Sequence, residues 1–153
     1  ALTGTETVLD LYCGTGTITL CLAREAGRAV GVEVVPQAIE DAKENAVRNG
    51  LADKTEFYCM DAGEAATCLA SEGAHPDVIV VDPPRKGCDN ATLTAIVQMA
   101  PRTLVMVSCN PSTAARDAKF LCEQGYTLEK VQPVDLFPRT RHVEVIVWLS
   151  REK

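Results

Sequence analysis

Cys109 lies in the stretch VSCNPSTAARD (107–117), between the end of an apolar run and the start of a helical pattern. Asn110 is a favourable N-cap, Pro111 suits the first helical position and Gly125 closes the segment, which predicts a helix over about 111–124. A thiol just before a helix N-terminus feels the partial positive charge of the unpaired N–H groups. That field favours the thiolate and makes Cys109 a candidate nucleophile. A nucleophile of this kind works with an acid or base partner. Glu144 in RTRHVEVIVWL, a lone carboxylate at the head of a strongly apolar strand, is the best candidate. Alternation puts His142, Glu144, Ile146 and Trp148 on one face of that strand and Val143, Val145, Val147 and Leu149 on the other. Burial at the strand head would raise the Glu144 pKa toward a general base's range. The plainer readings are an aggregation-blocking charge for Glu144 and a structural imidazole for His142.

A third motif, VDPPRKG, begins its polar part at Asp82. Pro83 and Pro84 fix the backbone and remove two amide donors, leaving carbonyls free to face a planar base. An aromatic in place of Arg85 would suggest attack on an exocyclic amine; arginine suggests different chemistry. A fourth motif, DLYCGTGTITL (10–20), places Gly14 and Gly16 before a helix, where backbone can approach a ligand closely. Thr19 stands where the dinucleotide fingerprint has its third glycine, which disfavours a bound pyrophosphate. Glu33 follows at the end of the second strand, placed to take the ribose hydroxyls of an adenosine. Asp10, Glu33, Asp61 and Asp82 around this loop would repel pyrophosphate and favour a cationic ligand. S-adenosylmethionine, with a sulfonium and an ammonium, fits that field.

The elements that must position these groups are legible as alternating short β-branched and longer amphipathic runs. They are TVLDLY, ITLCLAREA, AVGVEVV, QAIEDAKENAVRNG, TEFYC, DAGEAATCLASEG, PDVIVVD, ATLTAIVQMA, TLVMVS and STAARDAKFLCEQG, followed by two successive strand-like runs, YTLEKVQPVDLF and HVEVIVWLS. This order predicts an α/β fold with a mostly parallel sheet, helices on both faces, and an antiparallel addition at the C-terminal end. Ligands of such sheets bind beyond the carboxyl ends of the strands. The polar residues expected there are Asp10 with its glycine loop, Glu33, Asp61, Asp82 and Cys109.

The chain has 153 residues and 46% apolar content, which suits one domain over 1–153. It has no run long enough to span a membrane and no basic-then-apolar leader, so a cytoplasmic protein is expected. Seven cysteines without C-x-x-C pairs or nearby histidine ligands imply free thiols and no metal, and the six besides Cys109 read as inert buried groups. The net charge of −6 argues against nucleic-acid binding by bulk electrostatics. A local basic rim of Arg85, Lys86, Arg139 and Arg141 is compatible with it, as are simple solvated loop charges.

Taken together, DLYCGTGTITL, VDPPRKG, VSCNPSTAARD and DLFPRTRHVEVIVWL, in this order and spacing, resemble the catalytic domain of the RNA uracil-C5 methyltransferase family, which makes 5-methyluridine in tRNA or ribosomal RNA. The resemblance spans nearly the whole chain and implies a Rossmann-like, S-adenosylmethionine-dependent methyltransferase fold. It implies Cys109 as nucleophile and Glu144 as base. Asp82 is implied to hydrogen-bond the target base, with Pro83, Arg85, Arg139 and His142 beside the RNA. It also implies Asp10, Tyr12, Gly14, Gly16, Glu33 and Asp61 around the cofactor, Glu33 at the ribose and Asp61 at the adenine. The target base must leave its stack to reach such a pocket, which favours a uridine in a loop. Members of the family carry an N-terminal RNA-binding β-barrel and an F-x-Q-V-N stretch just before this segment. The chain has neither and begins without methionine, so it reads as a catalytic domain separated from its RNA-recognition domain.

RNA cytosine-C5 methyltransferases are the nearest rival, but they place a second cysteine beside the proline where this chain has Pro84. A nicotinamide-dependent oxidoreductase fits less well, given Thr19 and the acidic rim. The alternative of a different class is a non-catalytic cofactor-binding or interaction module.

Overall fold

The computed structural model describes residues 2–152. Strand β1 (Thr7–Leu11) is followed by α1 (Thr17–Ala23), β2 (Arg28–Glu33), α2 (Pro36–Arg48), β3 (Thr55–Cys59) and α3 (Ala62–Ser71). The chain continues through β4 (Val78–Val81), α4 (Asn90–Met99), β5 (Thr103–Ser108), α5 (Pro111–Glu123), β6 (Thr127–Val134) and β7 (Glu144–Ser150). The strands form one sheet in the order β3-β2-β1-β4-β5-β7-β6.

The expected α/β architecture is present, with β1 to β5 parallel. The C-terminal addition is more specific than the sequence indicated. Strand β7 inserts between β5 and β6 and runs antiparallel to both. It alone points against the rest of the sheet, so its first residue arrives at the edge where the parallel strands end.

Apolar alternation on the strands builds two cores. Leu11, Ile79, Val81, Leu104, Met106, Val147 and Leu149 face α3, α4 and α5, where Ile96, Met99 and Leu121 are fully buried against them. On the opposite face, Val8, Val78 and Val80 pack against Leu20 and Ala23 of α1 and Ala46 of α2. Helices α1 and α2 do not extend over β7, whose Ile146 and Trp148 remain exposed.

The helix starts follow capping chemistry. Asp61 and Asp89 accept backbone N–H bonds at the starts of α3 and α4, and Asn110 Oδ1 accepts the Ser112 N–H at the start of α5, with Pro111 next. Of the six cysteines expected to be buried, only Cys13 and Cys88 are; Cys21, Cys59, Cys68 and Cys122 are exposed. Cys21, Cys68 and Cys122 lie on the outer faces of α1, α3 and α5, and Cys59 ends the edge strand β3, where no helix covers them.

Candidate active site

The sheet order reverses direction at β1, with β2 on one side and β4 on the other, and the site residues collect beyond the carboxyl ends at this switch point. Register aligns the ends: Leu11 pairs with Val81, and Val81 with Met106. Asp82 directly follows β4. Strand β5 continues two residues past Met106, and Cys109 follows its last residue.

The antiparallel ladder supplies the most informative relation. Val107 pairs with Ile146 and Ser108 with Val145, so the next step in the same register sets Cys109 opposite Glu144. Cys109 and Glu144 therefore meet at one end of the sheet, just beyond the last β5–β7 rung, both at intermediate exposure. The expected burial of Glu144 is corrected: because α1 and α2 stop short of β7, the Glu144 face is only half covered. Asp82 is exposed, yet partial desolvation, and then the nearby Glu144 charge, raise its carboxyl pKa.

On the other side of the switch point, Asp10 lies within β1 rather than after it, as the sequence pattern suggested, and is fully buried. Thr19 Oγ1 donates to Asp10 Oδ2 at 2.6 Å, while Oδ1 has no partner. Burial pushes the Asp10 carboxyl up to about 7; the Thr19 bond opposes this, and the Asp82 and Glu33 charges add to it. Burial likewise raises the Cys13 thiol to about 12. The glycine turn closes through the Gly16 N–H, which donates to the Cys13 carbonyl at 2.9 Å. Gly16 has a φ of +82°, which favours glycine, and a Cβ there would lie a tight 3.1 Å from Ala42 Cβ and 3.2 Å from the Phe57 ring. Tyr12 takes a φ of 71° and packs half-buried against the larger core, so its backbone, more than its hydroxyl, belongs to the turn.

Glu33 ends β2 as expected, and its carboxylate is already engaged. Oε1 accepts the Val34 and Val35 N–H groups at 2.8 and 3.0 Å, and Oε2 accepts the Gly14 N–H at 3.1 Å. Of about four acceptor directions on a carboxylate, one remains, on the oxygen bound to the glycine turn. Asp61 caps α3 through Oδ1, which accepts the Gly63 and Glu64 N–H groups, and it stands at the β3 edge with β2 between it and β1.

Pro83 is buried and Arg85 exposed. Between β6 and β7, the loop 135–143 exposes Leu136, Phe137, Arg139 and Arg141 beside the Glu144 end, with Arg139 at a φ of 69°. His142 is half-buried, and its backbone N–H donates to Thr140 Oγ1 at 3.2 Å. Among the described residues, no three His, Cys, Asp or Glu gather in a metal-binding arrangement, and no helix is long and apolar enough to cross a membrane.

The sequence reading missed Arg116 and Asp117, which join α5 to the loop after Asp82. A signal was available. The buried positions of α5 are 114, 117, 118 and 121, an apolar stripe in which Asp117 is the one charged residue.

The chain is similar to known proteins over nearly its whole length. The family model described as tRNA (Uracil-5-)-methyltransferase matches residues 2–152. An uncharacterized RNA methyltransferase of Clostridium acetobutylicum is 51% identical over 98% of this chain, and one of Bacillus cereus is 53% identical over 98%. Each match covers 32% of the relative, so the chain spans about a third of their length. Among solved structures, the tRNA (uracil-54, C5)-methyltransferase of Pyrococcus abyssi, in complex with S-adenosyl-L-homocysteine, superposes with a TM-score of 0.83 at 33% identity, covering 97% of this chain and 35% of that one. An S-adenosylmethionine-dependent methyltransferase fold from Listeria monocytogenes superposes at 0.78 with 10% identity, which speaks for the fold alone. With a match along almost its whole length, the chain belongs to the tRNA (uracil-5-)-methyltransferase family.

Proposed function

We propose that this chain is the catalytic domain of a cytoplasmic enzyme that methylates C5 of a uridine in tRNA or ribosomal RNA through a covalent adduct at Cys109. The observation that supports the reading is the β5–β7 register, whose last rung, Ser108 with Val145, leaves Cys109 and Glu144 as the next residues of the two strands at one sheet end, where the Glu144 charge also reaches Asp82. Because the chain spans a third of its relatives, RNA recognition is assigned mainly to sequence outside it.

The residues at the switch point suit S-adenosylmethionine. A buried Asp10 with one unpartnered oxygen, together with Glu33 and Asp82, makes an acidic environment for a cation, and the remaining acceptor direction of Glu33 suits a ribose hydroxyl. The turn at Gly14 and Gly16 lets backbone lie against the ligand, with Tyr12 and Asp61 flanking it. When bound there, the cofactor supplies an electrophilic methyl group.

C5 of uracil is too weakly nucleophilic to take a methyl group unaided. Addition of the Cys109 thiolate to C6 forms an Sγ–C6 bond and moves the C5=C6 electron pair onto the C4 carbonyl as an enolate, making C5 the nucleophile. After C5 has been alkylated, Glu144 removes its remaining proton. The electron pair restores the C5=C6 bond, and Cys109 leaves as the thiolate. Asp82 hydrogen-bonds the base edge, Pro83 faces the ring, and Arg85, Arg139 and His142 line the RNA approach; the carbonyls expected to face the base are instead engaged at Pro84, Arg85 and Lys86 by Gly87, Asn110 and Arg116.

The test is a covalent trap. The chain and its full-length parent are each mixed with S-adenosylmethionine and 5-fluorouridine-substituted RNA, then resolved by denaturing gel and mass spectrometry. Fluorine cannot leave as a proton, so an adduct mapped to Cys109, and absent in Cys109→Ser, is expected. An adduct with the parent alone would place RNA delivery outside this chain, and none with either would refute the mechanism.

A further inference from the structure

Beyond Asp82, whose N–H donates to the Leu11 carbonyl at 3.4 Å, the loop to Cys88 leaves the sheet and lacks amide donors at both prolines; the start of helix α5 holds it. Asn110 Nδ2 donates to the Arg85 carbonyl at 3.0 Å. Arg116 Nη2 donates to the carbonyls of Lys86 and Cys88, each at 3.1 Å. Asp117 Oδ2 accepts the Cys88 N–H at 2.9 Å, and Oδ1 accepts Arg116 Nε at 2.7 Å. Asp117 is 1% exposed. At Gly87 (φ +79°) a Cβ would lie 2.6 Å from both Arg116 Nη2 and Asp117 Oδ2, so the loop closes tightly around this pair. Asn110 also caps the helix through Oδ1 and directly follows Cys109. One helix thus grips both the turn that bears the thiol and the loop that begins at Asp82.

We infer that Arg116 and Asp117, with Asn110, are positioning residues that fix the Asp82–Arg85 loop relative to Cys109, so that a pyrimidine held by the loop presents C6 to the thiol. The inference rests on Cys109 being the nucleophile. None of the three touches the reacting atoms. Only Asp117 of the pair is buried while the Arg116 side chain is exposed, so the ion pair adds little net stability, whereas directional bonds from a guanidinium to two carbonyls fix a geometry.

The test uses the full-length polypeptide that carries this chain, with 5-fluorouridine-substituted RNA and S-adenosylmethionine. Arg116→Met keeps the side-chain stem and loses the donors, and Arg116→Lys restores a cation without the fork. Three quantities are read: the adduct rate at saturating RNA, the rate of Cys109 alkylation by iodoacetamide without RNA, and S-adenosylhomocysteine affinity by calorimetry. Arg116→Met is expected to slow adduct formation by roughly tenfold to a hundredfold. Alkylation and S-adenosylhomocysteine affinity stay at the wild-type level, and Arg116→Lys recovers part of the rate. If Arg116→Met does not fold, Asp117→Asn, which keeps an acceptor for the Cys88 N–H, is put through the same comparison. An unchanged adduct rate overturns the inference while leaving the nucleophile in place. So does a loss of alkylation and S-adenosylhomocysteine binding in step with the adduct, which would mark a role in folding alone. Absence of the adduct in the wild type overturns the nucleophile reading, and the inference with it.

Discussion

Replacing Asp10 with asparagine is expected to change how stability depends on pH. The Asp10 carboxyl is raised from an ordinary 3.8 to about 7, chiefly by burial, with Asp82 and Glu33 adding repulsion and Thr19 opposing. A carboxyl raised on folding holds its proton in the native state where the unfolded chain has lost it. Between about pH 4 and pH 7 the native state therefore binds more protons than the unfolded one, and stability falls as pH rises through that window. At ~1.4 kcal/mol per pH unit, the loss across the window is roughly 4 kcal/mol, level below it and above it. Asparagine keeps an oxygen to accept the Thr19 hydroxyl but has no charge to bury. Urea unfolding of both proteins from pH 4 to 8 reads the effect as a difference, in which the opposite slopes from the lowered carboxyls of Glu6, Glu56 and Asp89 cancel. Above pH 7, Asp10→Asn should gain stability relative to the wild type, by less than the full figure because its amide leaves a buried N–H group unpaired. Parallel curves across the range would refute the argument. A cationic ligand beside Asp10 should also release a proton near pH 6, visible in calorimetry as a dependence on buffer ionisation enthalpy that Asp10→Asn lacks.

Three further outcomes are expected. Glu144→Gln should let the thiol add and the methyl transfer but stall before release, so that a methylated protein–RNA adduct builds up with ordinary uridine and is seen on a denaturing gel. Asn110→Ala should cost about 1 kcal/mol in urea unfolding from loss of the cap alone, and should also slow adduct formation because the Arg85 carbonyl loses its amide. Gly16→Ala should destabilise the chain by roughly 1–2 kcal/mol for the left-handed backbone. It should also weaken S-adenosylhomocysteine binding in calorimetry, since the left-handed backbone and the tight approach to Ala42 and Phe57 both strain the turn.

The alternation of runs and the polar residues after them were legible because strand ends, caps and helix starts are written locally. Asn110 and Pro111 marked the start of α5 and hence placed Cys109 correctly. What local pattern does not carry is partner order, which is decided by long-range pairing; nothing in HVEVIVWLS says that it lies between β5 and β6. The burial of Glu144 was overestimated for the same reason, since its exposure depends on how far helices from the other end of the chain reach. The four outward-facing cysteines show residue type misleading where helix phase decides. Glu33 and Asp61 were read as ligand groups, and both were found already accepting backbone N–H bonds, a local competition that short acidic side chains at loop starts often enter. Asp117 was visible as a charge in an apolar stripe, but its partners lie about thirty residues back in the chain.

The reversed direction of β7 also determines where the chain tolerates a change of length. Between β5 and β7 the relative height is locked rung by rung, from Thr103 with Ser150 to Ser108 with Val145. A residue inserted in the exposed loop 135–143 lengthens a connection and leaves every rung alone. One inserted after Glu144, within β7, shifts Glu144 by a single step against β6 and turns the carboxylate to the opposite face of the sheet. Two insertions a few positions apart thus differ completely in consequence, and the boundary between them lies at the first residue of the strand.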